Sequence, residues 1–120
     1  VAPTILRRTG GAIPVGGLRA RLAVGRVLFA GDAAGLTHPV TGAGIAAAVI
    51  SGERAGAAAA DWLAGRTRAL EDYEAELRDT FGVSLARAVT RRRGLWQAAR
   101  RGDAEFRRGW TAFPEYFRDG

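Results

Sequence analysis

The 120 residues contain no cysteine, no methionine and no lysine, and histidine occurs once, as His38. Without cysteine there is no disulfide, no thiolate metal site and no cysteine nucleophile. Without methionine there is no initiator, and Val1 to Arg8 reads as the middle of an extended element, so the chain is expected to be the C-terminal portion of a longer protein. Nothing in it resembles a secretory signal. The longest apolar stretch is broken by Glu53, Arg54 and Asp61, so no membrane span is expected. A cytoplasmic location is the expectation, with peripheral membrane attachment left open.

With lysine absent, all 18 basic residues are arginine, set against 12 acids for a net charge of +6. An arginine-only, alanine- and glycine-rich composition is what a GC-rich genome produces, and it carries little functional information. The basic clusters are Arg91-Arg92-Arg93, Arg100-Arg101 and Arg107-Arg108. Asp72, Glu74, Glu76, Asp79, Asp103 and Glu105 are interleaved with them. From Asp61 onward 12 arginines face 10 acids, which describes a mixed solvated surface rather than a stripe that tracks phosphates. Nucleic acid is not an expected partner.

Four glycines and Pro14 in Gly10–Gly17 (GGAIPVGG) mark an irregular crossing segment. Leu22–Val24 reads as a short strand and Gly25-Arg26 as a turn. Val27–Ala30 is a continuous apolar run of the kind found in a strand buried on both faces, as in a parallel sheet. Such a strand cannot satisfy its own edges, so its sheet is expected to come mostly from chain beyond these residues. Gly42–Leu63 reads as one long helix whose interior Gly52 and Gly56, four apart, suggest close backbone packing against a sheet. Beyond Gly65 the pattern is helical and amphipathic, with Leu70, Tyr73, Leu77 and Phe81 on one stripe and Leu85, Val89, Trp96 and Ala99 on a second. A third helix is expected from about Asp103, carrying Phe106, Trp110 and Phe113 and ending before Pro114.

The chemically informative stretch is Gly31-Asp32-Ala33-Ala34-Gly35, then Pro39, then Thr41-Gly42-Ala43-Gly44-Ile45. A strand delivers an aspartate at its C-terminal end, where open α/β sheets bind ligands. Small residues follow, so a ligand can approach the backbone. Gly42 and Gly44 then open a helix whose first amides have no internal partner. Thr41 is the candidate N-cap, and the Glu or Gln of a capping box is absent at Gly44. The amides of Ala43, Gly44 and Ile45 are therefore expected to be free, with the positive end of the helix dipole behind them.

This stretch resembles the second FAD fingerprint of flavoprotein hydroxylases and geranylgeranyl reductases. The resemblance implies that Asp32 holds a ribityl hydroxyl and that Gly44 and Ile45 meet the pyrimidine edge of the flavin. Pro39 and Thr41 would shape the loop beneath the ring, and Gly31, Gly42 and Ala43 complete the cofactor-binding set. Where the family often has Glu or Gln, this chain has Ala43. The Gly10–Gly17 crossing is similar to the one preceding the motif in the geranylgeranyl reductase branch. No Gly-x-Gly-x-x-Gly turn for the pyrophosphate occurs here, since position 47 is alanine, so the chain alone is expected to bind FAD poorly.

The implied fold class is α/β. Residues 1–65 would be the C-terminal part of an FAD-binding Rossmann-like domain, with one core strand and a flavin-facing helix, and residues 66–120 a helical subdomain. The implied activity is that of an FAD-dependent oxidoreductase, first a reductase of a prenyl or other alkene-containing substrate. An aromatic hydroxylase, monooxygenase or halogenase is the alternative, and a non-catalytic helical binding module is the alternative from another class. FAD is the cofactor, with NAD(P)H open as electron donor, and the substrate is small and lipid-like. His38 is either a proton donor near the ring or a locally bonded loop residue. Trp62, Trp96 and Trp110 either line a tunnel or pack on helix faces. Ser51 has no base at catalytic spacing and is not a nucleophile.

Overall fold

A computed structural model describes residues 4, 6, 7, 9–98 and 103–118. Most of Val1–Arg8, together with Ala99 and the Arg100-Arg101 cluster, lies outside the described residues. The chain is mostly helical with one small sheet, consistent with a piece of an α/β domain.

Strands β1 (Ala23–Val24) and β2 (Val27–Leu28) pair antiparallel, Ala23 opposite Leu28 and Val24 opposite Val27. Gly25 opens the connecting turn at φ 58°, as a two-residue hairpin loop with glycine in its first central position requires. The expected parallel core strand over Val27–Ala30 is therefore a two-residue hairpin arm, with Val27 exposed and Leu28, Phe29 and Ala30 half-buried. The reversal at Gly25-Arg26 supplies a local partner on one edge only. Among the described residues no strand pairs with the other edge.

Helix α1 (Ile45–Leu63) begins three residues later than the pattern suggested, with Gly44 as its N-cap. Alanine dominates it and favours helix. It buries the stripe centred on Ser51 and Ala58, with Ala47 and Ala55 half-buried beside them. Its opposite stripe, Ile45, Val49, Gly52, Gly56 and Leu63, is exposed. A Cβ at Gly52 or Gly56 would meet nothing within 4 Å, so the close packing expected of these glycines has no counterpart among the described residues. The helix ends in a Schellman motif: the Gly65 amide donates to the Trp62 carbonyl at 3.0 Å and the Arg66 amide to Asp61 at 3.0 Å. An Arg66–Asp61 ion pair spans the same turn.

After this short connection α2 (Ala69–Ala98) runs for 30 residues. Its stripe of Tyr73, Leu77, Leu85 and Ala88 is buried, whereas Trp96 is exposed. Tyr73, Leu77 and Leu85 share one core with Leu22, Ala34, Leu36 and Ala58. Helix α3 (Asp103–Gly109) stops short of Trp110 and Phe113, which follow it in a turn. A 3-10 turn, Pro114–Phe117, buries Tyr116. The described tryptophans have separate neighbours. Arg26 lies over Trp62 at 5.2 Å, Arg92 over Trp96 at 5.7 Å, and Trp110 stacks on Phe106 at 6.0 Å. They form no common wall.

Two consecutive turns of α2 clamp the hairpin. Tyr73 Oη donates to the Phe29 carbonyl at 2.6 Å. One oxygen of Glu74 accepts the Leu22 and Ala23 amides at 2.9 and 3.0 Å, and the other accepts from Arg78 at 2.8 Å. Arg78 also donates to the carbonyls of Ala20 and Arg19. The Arg78 hydrogen bond, helped by the Ala23 and Leu22 amides against the cost of desolvation, holds the Glu74 carboxyl down to about 2 from its ordinary 4.5.

Because the folded-state value lies below the unfolded one, this contribution to stability is complete above pH 4.5 and disappears as pH falls toward about 2. Glu74→Gln is expected to lower stability by about 1–2 kcal/mol near neutrality, the scale of hydrogen bonds to a charged group. Denaturant unfolding across that acid range should show the wild type losing its advantage over the variant.

Candidate functional site

The site is assembled where the hairpin runs into α1. After Ala30 the chain makes a 3-10 turn over Gly31–Ala34, ended by Gly35 at φ 74°. A Cβ on Gly35 would lie 2.2 Å from the Gly17 carbonyl oxygen, so this position tolerates only glycine while the crossing segment stays in place. The Arg19 amide donates to the Ala34 carbonyl at 3.0 Å alongside. The glycine-rich crossing thus packs directly on the turn that carries Asp32.

That turn is fixed to α1 by a buried serine. The Gly31 amide donates to Ser51 Oγ at 2.9 Å, and Ser51 Oγ donates to the Ala48 carbonyl at 3.2 Å. Ser51 is completely buried. Its role is structural, and the signal for it was available: it is the one polar residue in the buried alanine stripe, and a buried hydroxyl needs a partner.

Asp32 is exposed at the start of the turn. Its Oδ1 accepts a 2.5 Å hydrogen bond from Thr37 Oγ1, while Oδ2 has no partner among the described residues. Sequence reasoning missed Thr37, a buried polar residue in a loop without periodicity. Both side chains lie against the start of α1. A Cβ on Gly44 would sit 3.4 Å from Thr37 Oγ1 and 3.6 Å from Asp32 Oδ1. The aspartate and the helix start, twelve residues apart in sequence, are thereby brought together.

The loop between them differs in detail from expectation. Thr41 is not the N-cap of α1; its Oγ1 accepts the Ala43 amide at 3.2 Å, so that amide is not free. The Gly42 amide donates to the His38 carbonyl at 2.9 Å and the His38 amide to the Ala43 carbonyl at 2.7 Å. Gly42 has φ 73°, the left-handed region, which tightens the loop just before the helix. Pro39 is fully buried, and its carbonyl accepts from Arg92 Nη1 at 2.8 Å. Gly44 makes no side-chain cap, and the first bond into the helix is the Ala48 amide to the Gly44 carbonyl at 2.8 Å. Among the described residues the amides of Gly44 and Ile45 find no partner, at the positive end of the helix dipole. Ile45 itself is exposed.

His38 is bonded locally. Its Nδ1 accepts the Val40 and Thr41 amides at 3.3 and 3.2 Å, and Nε2 lies 3.3 Å from Tyr116 Oη. Partial burial pushes its pKa below 6.5. Among the described residues no cluster of three His, Cys, Asp or Glu could hold a metal, and no helix is long and apolar enough to cross a membrane.

No family profile and no solved structure matches the chain. A digeranylgeranylglycerophospholipid reductase of Methanocella arvoryzae is 40% identical over 84 residues, which covers 68% of this chain and 21% of that protein. This similarity supports a geranylgeranyl reductase-like relationship and makes an oxidoreductase the class to which the site is best compared. The chain spans about a fifth of the length of the curated relative it matches.

The two glycines before α1 separate conformational need from ligand need. Gly42→Ala is expected to cost about 1 kcal/mol or more, from strain at positive φ. Gly44 is not at positive φ and a Cβ there would meet only ordinary contacts, so Gly44→Ala should cost less stability than Gly42→Ala. Chemical denaturation of the two variants compares them; equal losses would contradict the loop geometry.

Proposed function

We propose that this chain is the flavin- and ribityl-facing part of an FAD-dependent oxidoreductase, a reductase acting on a prenyl or other alkene-bearing, lipid-like substrate. The observation that carries the reading is the pairing of Asp32 with the open start of α1. A carboxylate with one oxygen steadied by Thr37 has its other oxygen available to a hydroxyl donor. Beside it stand the unbonded amides of Gly44 and Ile45, and Gly44 carries no side chain to obstruct a planar ring. That donor and acceptor set fits a ribityl hydroxyl next to a carbonyl-bearing flavin edge.

Within this reading Asp32 binds and orients the ribityl chain, and the Gly44 and Ile45 amides polarise the ring edge. Gly31, Pro39, Thr41, Gly42 and Ala43 set the backbone around it. When bound, FAD supplies the redox chemistry, while the protein supplies orientation and electrostatics. NAD(P)H is the corresponding class of electron donor.

The exposed stripe of α1 supports the Rossmann-like part of the proposal. Ile45, Val49, Gly52, Gly56 and Leu63 form an apolar face with small residues at its centre, suited to packing against a sheet contributed by the rest of the protein. The similarity to a digeranylgeranylglycerophospholipid reductase supports a reductase over the hydroxylase alternative.

In the complete protein, Asp32→Ala should stay folded and bind FAD roughly 10- to 150-fold more weakly, the equivalent of one hydrogen bond to a charged group. Gly44→Ala should also weaken FAD. Flavin absorbance and fluorescence titration measure both. Full FAD occupancy in Asp32→Ala would end the assignment.

A further inference from the structure

The loop that would lie beneath the flavin is organised by one side chain, and that side chain is held from the far end of the chain. We propose that His38 is a positioning residue for the candidate FAD site: as a neutral imidazole it ties residues 38–43 into one shape, and Tyr116 holds the ring in the tautomer that permits this. The ligand in this inference rests on the flavin reading; the role of His38 in the loop does not.

The tautomer follows from the donors around the ring. Two backbone amides, Val40 at 3.3 Å and Thr41 at 3.2 Å, point at Nδ1. Nδ1 therefore carries no proton, and in a neutral ring the proton resides on Nε2. Nε2–H then donates to Tyr116 Oη at 3.3 Å. The backbone of His38 closes the same loop, through its amide to the Ala43 carbonyl and its carbonyl to the Gly42 amide. Thr41, fixed by Nδ1, offers Oγ1 to the Ala43 amide. Side chain and main chain of one residue thus set every bend between the Asp32–Thr37 pair and Gly44.

The C-terminal turn is itself held by α2. Arg91 Nε donates to the Tyr116 carbonyl at 3.2 Å and Arg91 also bonds the Arg118 carbonyl. The next residue, Arg92, donates to the Pro39 carbonyl at 2.8 Å. Adjacent arginines on α2 thus grip the loop and the turn that steadies its histidine. The group facing the His38 ring is the Tyr116 hydroxyl from the C-terminal turn, with Arg92 of α2 on the neighbouring Pro39 carbonyl and Arg87 and Arg91 acting on Tyr116. Among the described residues no carboxylate bonds the ring.

Protonation would place an N–H on Nδ1 against the Val40 and Thr41 amides, and both would lose their acceptor. Partial burial opposes that charge and sets the proton affinity below the ordinary 6.5. The neutral form and the ordered loop therefore persist through neutral pH. Both are lost as pH falls through the lowered value. Asparagine would retain the acceptor, since its side-chain oxygen bonds amides two and three residues on, and it cannot be protonated there.

The test uses the complete protein uniformly labelled with 15N, His38→Asn identifying the histidine resonances. Long-range proton–nitrogen correlations should report the Nε2–H tautomer, and the Val40 and Thr41 amide shifts should follow the titration of His38. FAD affinity, titrated between about pH 5 and 8, should weaken about tenfold on protonation. His38→Asn should bind as wild type at neutral pH and lose this pH dependence, whereas His38→Leu should bind about tenfold more weakly throughout. An Nδ1–H tautomer in the wild type, or a His38→Leu protein with wild-type affinity and pH profile, would overturn the proposal. If no protein takes up FAD while the tautomer and the two amide shifts behave as described, the flavin reading falls and the role of His38 in the loop stands.

Discussion

A hairpin of two-residue strands satisfies the backbone along one edge and leaves the other without a partner. In this chain the amides of Leu22 and Ala23 are taken by the carboxylate of Glu74, a side chain of α2. Arg78, one turn later, holds that carboxylate and reaches the carbonyls just before the hairpin. Tyr73, one residue earlier, takes the Phe29 carbonyl at the other end. The position of Asp32, three residues beyond Phe29, depends on this clamp. Without it the hairpin would have only a few internal bonds and part of a core to locate it.

That core is one-sided. Its buried residues are Tyr73, Leu77 and Leu85 of α2, Ala58 of α1, and Leu22, Ala34 and Leu36 on either side of the hairpin, and the opposite stripe of α1 is left exposed. The radius of gyration, 18.0 Å, exceeds the roughly 14 Å of a compact domain this long, and the thinnest dimension is 20 Å. A single layer of helices over a hairpin presents its ligand-facing elements at an edge. This agrees with a site in which Asp32 and the start of α1 are open while Ser51, Thr37 and Pro39 behind them are buried.

The candidate site combines two kinds of order. Its rear wall is set by buried bonds that a ligand would not touch, from Ser51 to Gly31 and from Arg92 to Pro39. Its front is set by exposed, short-range bonds, Thr41 to Ala43 and His38 to Val40 and Thr41. The rear wall draws on α2, beyond the expected boundary at residue 65, so the helical segment contributes to the loop over residues 38–43 as well as to the core.

Local sequence determined the features that local chemistry controls. The Gly25-Arg26 reversal, the alanine-rich helix and the amphipathic stripe of Tyr73 and Leu77 were all legible, because turn chemistry and side-chain period act within a few residues. The contacts that decide the site's shape were not. Glu74 looked like one acid in a mixed surface, Tyr73 like one more apolar position, and Arg92 like part of a basic cluster, yet each bonds a backbone group more than 40 residues away. The same distance explains the misread strand. Continuous apolarity over Val27–Ala30 signals burial, but whether a neighbouring strand or a helix provides it depends on how α2 folds back over the hairpin, and only tertiary structure decides that.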